Sequence, residues 1–233
     1  MHSSFSADSD TSMEDMIREA ICRGLTGICF TEHLDPDYPP TPDNEIFELD
    51  LDGYRKTLFR LREKYQKELQ IGSSHVVHGY DPYYKEYFKG REESACYREY
   101  FESILENLHA FSEMDVYGHI DYIVRYGPNQ NKYYTYERYQ DIIDEILRTV
   151  IARGRGIELN TGGFHYGLGE PNPCRAVIRR YRELGGEIIT VGADAHGPEK
   201  IAYDFDKAAA ILADCGFKYY TVFQNRKPEF VKL

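Results

Sequence analysis

The sequence contains no tryptophan, and it also lacks the patterns that mark membrane and secreted proteins. Its apolar runs are all much shorter than the roughly 18 residues that a membrane-spanning helix needs. The N-terminal segment does not have the charged-then-apolar layout of a signal peptide. We therefore expect no membrane partner and a cytoplasmic location.

Disulfide pairs and a positive charge excess are missing as well. The five cysteines are scattered and contain no CxxC pair, which predicts reduced thiols in the cytoplasm. The net charge of −11 disfavours general binding to nucleic acid or to an anionic membrane. A chain of this charge can still bind a phosphate group where cations are concentrated locally, and metal ions are one source of such cations.

Motifs for metal-free chemistry are not found either. The glycine-containing segments TGGFHYGLG and GLGEPNP lack the spacing of a Walker loop or a dinucleotide-binding loop. No GxSxG nucleophile elbow is present. Ser74 and His75 are adjacent, so on a strand their side chains point to opposite faces and do not form a nucleophile–base pair.

Helix and strand patterns alternate along the chain, which predicts one α/β domain over residues 1–233 with parallel strands. Helices are predicted at about 12–23, 51–70, 92–113, 136–153, 173–185 and 199–215. Strands are predicted at 26–33, 71–77, 115–124, 156–160, 187–196 and 218–223. The four prolines of residues 34–50 predict a loop. Such an order forms either a closed (β/α) barrel or an open doubly wound sheet.

Polar side chains stand at the ends of five of these six predicted strands. They are Thr31-Glu32-His33, Ser73-Ser74-His75, His119 with Asp121, Glu158 with Asn160, and Asp194 with His196. The carboxyl ends of parallel strands share one face, which builds the active site. Imidazole and carboxylate ligands suit Zn, Mn or Fe, so this set predicts a site for two or three divalent ions.

Clustered divalent ions hold a hydroxide at neutral pH and bind the oxygens of a phosphoryl group, so we expect a small phosphorylated substrate. Arg125, four residues after Asp121, is either a phosphate contact or part of a surface ion pair. His165 follows the fourth predicted strand and serves either substrate binding or loop structure. His78 is expected to be exposed, and His109 is expected to be structural.

Many of the 21 tyrosines lie in two segments, YDPYYKEYF and NKYYTYERY. Their composition indicates partly solvated loop surfaces or, alternatively, the lining of a pocket.

Six motifs in this order resemble the PHP (polymerase and histidinol phosphatase) superfamily, and specifically its histidinol-phosphate phosphatase branch. They are HSSFSADS, TEH, IGSSHVVHGYDPYY, GHIDYIVRYGPN, GIELNTGGFHYGLGEP and GADAHGPEKIAYDFDKA. The resemblance covers nearly the whole chain. It implies a distorted (β/α)7 TIM-like barrel that binds two or three Zn, Fe or Mn ions. It also implies hydrolysis of L-histidinol phosphate to L-histidinol and phosphate, in histidine biosynthesis, by a metal-activated hydroxide.

The resemblance also implies roles for particular residues. The implied metal ligands are His2, Asp8, His33, His75, His119, Asp194 and His196. The implied catalytic residues are Asp8, His33 and Asp194, and the implied substrate contacts are Arg125 and His165. Glu32 and Asp121 lie beside ligands and are expected to orient their imidazoles.

The chain departs from the family pattern at two places. The family begins with a strand that ends in H-x-H, whereas Met1 here directly precedes His2. A strand–helix unit with a glutamate ligand, expected between TEH and SSH, is also absent. We therefore expect a barrel opened by the loss of the N-terminal strand and of this internal unit, with no strand to hold His2.

Two other functions remain open from the sequence. One is a truncated, non-catalytic PHP remnant that folds, as a homo-oligomer, and binds little metal. The other is a PHP-type nuclease or a phosphoesterase with a different substrate. The negative charge and the lack of a basic groove disfavour nucleic acid as the substrate.

Overall fold

The computed structural model describes residues 1–25, 27–35, 38, 49–65, 71–224 and 226–233. Its helices are α1 (Met13–Cys22), α2 (Leu51–Tyr65), α3 (Glu93–Ala110), α4 (Gln140–Ala152), α5 (Gly162–His165), α6 (Arg175–Glu183) and α7 (Phe205–Asp214). Its strands are β1 (Ile71–Gly72), β2 (Val116–Tyr117), β3 (Gly156–Asn160), β4 (Ile189–Gly192), β5 (Tyr219–Gln224) and β6 (Lys227–Lys232). Among the described helices, none is long and apolar enough to cross a membrane.

Strands β1 to β4 form one parallel sheet in the order β1-β2-β3-β4. The register places Val116 beside Gly156 and Ile157 beside Ile189. Strands β5 and β6 form an antiparallel hairpin, which is linked to β4 by a hydrogen bond from Ile189 N to Thr221 Oγ1 (3.1 Å). The predicted α/β class with parallel strands is confirmed, but the strands of the described residues do not close into a barrel.

Helix α4 shows how the sequence covers the sheet. Its buried residues recur every three or four positions, so they line one face of the helix: Ile142, Ile143, Ile146, Leu147 and Val150. The helix ends at Ala152, and Gly154 follows it with a positive φ of 64°, which allows the backbone N–H groups of Gly154 and Arg155 to bond to Ile151 O and Val150 O. This cap turns the chain directly into β3, which is buried along its whole length.

The strand predicted at 26–33 is wrong for residues 27–33, which have no regular secondary structure. Their backbone bonds instead to the first residue of the chain. Thr31 N donates to Met1 O (2.9 Å), and the Met1 ammonium group donates to Cys29 O (3.1 Å). The predicted loop at 34–50 lies mostly outside the described residues.

The strand predicted at 115–124 ends after Tyr117. His119 adopts a positive φ of 22°, and a 3-10 turn then spans Tyr122–Arg125. The strand predicted from residue 71 likewise ends at Gly72. The early end of β2 turns Arg125 back toward the carboxyl edge of the sheet.

The C-terminal part differs from the prediction in two respects. Helix α7 starts at Phe205 rather than near 199, because Pro198–Lys200 form a 3-10 turn and Asp204 is left-handed with a φ of 55°. Strand β5 pairs with β6, which was not predicted, since the residues of β6 are largely exposed and lack an apolar alternation.

Candidate active site

Seven predicted metal ligands converge at the carboxyl edge of the sheet. The nitrogen and oxygen ligand atoms of one group all lie within 4.8 Å of one another: His2, Asp8, His33 and His196. A second group shares His33 and adds Asp35 and His75 under the same limit. Asp194 Oδ1 lies 3.3 Å from His2 Nε2, and His119 Nε2 lies 3.3 Å from His75 Nε2. The structure thus brings together all the ligands that the resemblance implied.

Asp8 stands at the centre of the first group. Its Oδ2 atom lies 3.0 Å from His196 Nε2 and 3.2 Å from His33 Nε2. Although burial opposes ionisation, hydrogen bonds from His196 and His33 hold the pKa of Asp8 far below its usual range. For His33, burial lowers the pKa, but hydrogen bonds to Asp35 and Asp8 outweigh it and raise the pKa to about 10.

His75 and His119 face each other through their Nε2 atoms. His119 is buried and His75 is half-buried, and their poor solvation lowers the pKa of His119 to about 3 and the pKa of His75 well below its usual value. His119 Nδ1 is buried and has no hydrogen-bond partner. Neutral imidazole is the form that binds metal, and two opposed ring nitrogens with depressed basicity suit a divalent cation. The donor set therefore fits the metal ions that the family resemblance implies.

His2 does not lie on a strand, but other contacts fix its position, so the expected lack of support is not found. Its side chain is 3% exposed, and its backbone N–H donates to Ala195 O (2.9 Å). Its ring stacks on His196 at 4.0 Å and on His33 at 4.7 Å between centroids. Burial lowers the pKa of His2 to about 4. The backbone hydrogen bond to Ala195 therefore fixes His2 in place of strand pairing.

Glu32 holds the first loop of the chain rather than an imidazole. It accepts hydrogen bonds from Ser3 N (2.9 Å) and from the Oγ atoms of Ser3 (2.5 Å) and Ser6 (2.8 Å). Ser6 Oγ in turn lies 3.2 Å from His2 Nδ1 and accepts a hydrogen bond from His33 N (3.0 Å). Glu32 therefore acts on His2 through Ser6, which is less direct than the sequence suggested.

Asp121 contacts Arg125 indirectly, through Asn172. It accepts hydrogen bonds from Asn172 Nδ2 (2.6 Å) and Cys174 N (2.9 Å). Asn172 Oδ1 accepts the Nε–H of Arg125 (2.8 Å). Asp121 therefore supports Arg125 rather than His119.

Arg125 lies beneath the cluster and is 3% exposed. Its Nη1 donates to Asp194 Oδ2 (2.6 Å), and its Nη2 donates to Asn160 Oδ1 (3.2 Å). Burial opposes ionisation of Asp194, but the Arg125 guanidinium holds the pKa of that carboxyl well below its usual range. Gly162 leaves room for this contact, because a Cβ there would lie 2.7 Å from Asn160 Oδ1 and 3.1 Å from Arg125 Nη2.

A cavity of about 280 Å³ opens onto the cluster. Six of the seven candidate ligands line it, all except His119, and its other polar side chains are Tyr38, Asp81, Tyr83, Tyr84, Tyr122, Tyr126, His165, Tyr166, Lys200 and Tyr203. His165 therefore lies where substrate contact was expected. Sequence reasoning did not single out Asp35, Asp81 and Lys200, because each stands in a loop where no periodicity marks it.

The two tyrosine-rich segments lie in different parts of the structure. Tyr83 and Tyr84 of YDPYYKEYF line the cavity. Tyr134, Tyr136 and Tyr139 of NKYYTYERY are buried in the core. The first segment therefore contributes to the lining of this cavity, as one of the two interpretations of the sequence predicted, whereas these tyrosines of the second segment pack in the core.

A second, more apolar cavity of about 460 Å³ reaches the other side of the histidine cluster. It lies between residues 25–31 and the hairpin strand β5, and Met1 lines it. The Glu158 carboxylate also lines it, with Oε2 accepting from His119 N (3.3 Å) and Asn160 Nδ2 (3.0 Å), and burial raises the pKa of Glu158.

The sequence is similar to a known protein family and to named phosphatases. A family model described as the PHP domain matches residues 1–49 and 45–162. A Clostridium acetobutylicum protein named "probable histidinol-phosphatase" is 30% identical over 245 aligned residues, covering 94% of this chain and 93% of that protein. The histidinol-phosphatase of Lactococcus lactis is 27% identical over 256 aligned residues, covering 97% and 93%.

The fold has a counterpart of known structure. The crystal structure of histidinol phosphate phosphatase from Lactococcus lactis, in complex with zinc, L-histidinol and phosphate, matches with a TM-score of 0.86. The match has 27% sequence identity and covers 98% of this chain and 97% of that one.

Proposed function

The chain belongs to the PHP-domain family, and from this premise we propose that it is a metal-dependent phosphomonoesterase that hydrolyses L-histidinol phosphate to L-histidinol and phosphate. The observation that carries the proposal is the convergence of candidate ligands at the mouth of one cavity. The relatives named histidinol-phosphatase, and the zinc, L-histidinol and phosphate in the Lactococcus structure, support the substrate.

Two or three divalent ions, of Zn, Fe or Mn, would be held by the two ligand groups described above. His2, Asp8, His33 and His196 supply one set, and His33, Asp35 and His75 supply the other, with Asp194 and His119 adjacent to them. When bound, such ions supply Lewis acidity toward the phosphoryl oxygens and a nucleophilic water at neutral pH.

The chain's own residues then handle the proton and the charge. Asp8 Oδ2, between the Nε2 atoms of His33 and His196, is placed to hold the proton of the attacking water and to return it to the leaving alkoxide. Arg125 keeps Asp194 ionised and fixed in orientation. We propose that Arg125 also adds positive potential toward the phosphate, while Lys200 and His165 contact the substrate from the cavity wall.

We also propose that the fold is a distorted (β/α)7 barrel that lacks one internal strand–helix unit. The TM-score of 0.86 to the Lactococcus enzyme supports the shared architecture. A cytoplasmic location and a homo-oligomeric state accompany this proposal, and light scattering tests the latter.

Phosphate release by the purified full chain, loaded separately with Zn, Mn or Fe(II), tests the proposal. L-histidinol phosphate is compared with glycerol phosphate, p-nitrophenyl phosphate and a dinucleotide, and elemental analysis measures the bound metal in the same samples. We expect the highest kcat/KM for L-histidinol phosphate. Absence of turnover in protein that carries two or more ions per chain would exclude the proposed function and favour a non-catalytic relative.

A further inference from the structure

The carboxylate of Glu158 lies between two glycines near the carboxyl edge of the sheet. Glu158 is 6% exposed and belongs to β3, which has β2 on one side and β4 on the other. A Cβ atom at Gly118 would lie 3.3 Å from Glu158 Oε2, and one at Gly192 would lie 1.9 Å from Oε1 and 2.8 Å from Cδ. Neither glycine has a left-handed backbone, so conformational freedom does not explain them. The space that the carboxylate takes explains both.

The backbone of His119 is the first group that this carboxylate holds. The N–H of His119 donates to Glu158 Oε2 (3.3 Å) and is buried. The paired residues of β2 end at Tyr117, so this N–H lies beyond the ladder of the sheet and needs another acceptor. His119 also has a φ of 22°, which residues other than glycine rarely adopt. Glu158 thus stabilises the backbone where it leaves the strand.

The ring of His119 receives little direct support from hydrogen bonds. Its Nδ1 atom has no hydrogen-bond partner among the described residues. A histidine that binds metal through one ring nitrogen is commonly oriented by an acceptor at the other nitrogen. The orientation of this ring therefore depends on its backbone and on packing against Tyr122, whose ring centroid lies 5.0 Å away.

Asn160 is the second group that Glu158 holds. Its Nδ2 donates to Glu158 Oε2 (3.0 Å), which leaves its Oδ1 free to accept from Arg125 Nη2 (3.2 Å). Arg125 Nη1 in turn donates to Asp194 Oδ2 (2.6 Å). One carboxylate oxygen therefore connects His119 on one side of the cluster with Asp194 on the other.

We propose that Glu158 is a positioning residue for two candidate metal ligands at once. It fixes His119 directly through the backbone N–H, and it fixes Asp194 through the side chains of Asn160 and Arg125. Both of its bonds require an acceptor oxygen at one place, and neither requires Glu158 to touch a metal ion or the substrate. This inference rests on the proposed function, because it takes His119 and Asp194 as ligands of the divalent ions.

Two conservative variants separate the position of the acceptor from the charge. Glu158→Asp keeps the charge but withdraws the carboxylate by one methylene, so it should weaken zinc binding about 10- to 100-fold. Glu158→Gln removes the charge but keeps an acceptor oxygen within reach of His119 N and Asn160 Nδ2, so zinc affinity should stay within about threefold of the original value. Competition with a chromophoric chelator measures the affinity of the full chain without substrate.

Ile157→Val is the matched control, because it removes one methylene from the adjacent residue of the same strand. The Ile157 side chain packs in the core on the opposite face of the sheet, so zinc affinity should not change. Circular dichroism at the temperature of the titration verifies that each variant is folded. Equal losses in Ile157→Val and Glu158→Asp would overturn the inference, since both would then reflect a general loss of packing.

Hydrogen exchange of the chelator-treated protein provides a second readout. The N–H of His119 should exchange faster in Glu158→Asp than in the unaltered protein or in Ile157→Val. Unchanged exchange together with unchanged zinc affinity in Glu158→Asp would overturn the inference. A larger loss of zinc affinity in Glu158→Gln than in Glu158→Asp would also overturn it, because the charge rather than the acceptor would then matter.

These measurements are independent of turnover. If the unaltered protein binds zinc but releases no phosphate from L-histidinol phosphate, the proposed function fails, and the zinc affinities of the variants still decide the role of Glu158. If the unaltered protein turns over the substrate but Glu158→Asp binds zinc normally, only the inference fails. An unaltered protein that binds no zinc, Mn or Fe(II) would overturn both.

Discussion

Arg125 and Asp194 form a buried ion pair, with Nη1 2.6 Å from Oδ2, directly beneath the histidine cluster. The other carboxylate oxygen of Asp194 lies 3.3 Å from His2 Nε2. Asp194 thus connects a fixed cation to a candidate metal ligand, so a change at Arg125 reaches the cluster through a single side chain.

Replacing Arg125 with methionine should destabilise the metal-free protein strongly. Loss of the guanidinium would leave Asp194 as a buried charge without its partner, which costs about 3–5 kcal/mol of the free energy of unfolding. Urea denaturation of the chelator-treated protein measures the change. Arg98→Met is the control, since Arg98 pairs with an exposed Asp141 and its loss should cost less than about 1 kcal/mol. Similar losses in the two variants would contradict the importance of the buried pair.

His33→Gln should reduce the metal content, because His33 belongs to both groups of candidate ligands. We expect the purified variant to carry about one ion fewer per chain by elemental analysis, since both sites lose an imidazole donor. His109→Gln provides the control on an exposed residue of α3. An unchanged metal content in His33→Gln would show that the ions bind elsewhere.

Asp8→Asn should lower kcat by about 10²- to 10⁴-fold with a smaller effect on KM, because an amide cannot hold the transferred proton. Steady-state kinetics on L-histidinol phosphate test this expectation. Asp10→Asn changes a nearby exposed carboxylate and should leave both constants close to their original values. A variant of Asp8 that keeps its kcat would remove Asp8 from the proton-transfer step.

His78 offers a pH-dependent prediction outside the cluster. Its ring nitrogens lie 3.1 Å from Glu106 Oε2 and 3.3 Å from Glu99 Oε1, and these two partners raise the pKa of His78. Because the folded pKa is higher than the unfolded value of about 6.5, the stabilisation is fully present below about pH 6.5 and is lost as the pH rises through the folded pKa.

The titration of His78 can be followed directly by NMR. Glu106→Gln should lower its pKa, and the effect on the free energy of unfolding should stay below about 1 kcal/mol, since the pair is exposed to solvent. A pKa that does not respond to Glu106→Gln would show that the ion pair is absent in solution.

The sequence predicted best where local pattern and tertiary packing agree. Strand β3 and helix α4 have the predicted type and nearly the predicted bounds, because their apolar periods match the faces that they bury. His75, His119 and His196 converge as expected, since they follow parallel strands whose carboxyl ends meet at one edge of the sheet.

The failures arise from contacts between distant parts of the chain. The pairing of Met1 with Cys29 and Thr31 replaces the predicted strand, and no periodicity signals it. The position of Asp81 in the cavity wall could not be predicted either, because its contact with the Tyr38 hydroxyl forms only in the folded chain. The depressed pKa of Asp194 likewise depends on Arg125, 69 residues away in the sequence.

Gly162 has a consequence for how this sequence can diverge. Its missing side chain leaves the space in which Asn160 Oδ1 accepts hydrogen bonds from both Gly162 N (2.9 Å) and Arg125 Nη2 (3.2 Å). A larger residue at 162 would displace the amide or the guanidinium, and with it the support of Asp194. Positions 125, 160 and 162 can therefore change only together, so we expect them to covary, although Arg125 lies more than 30 residues before the other two in the sequence.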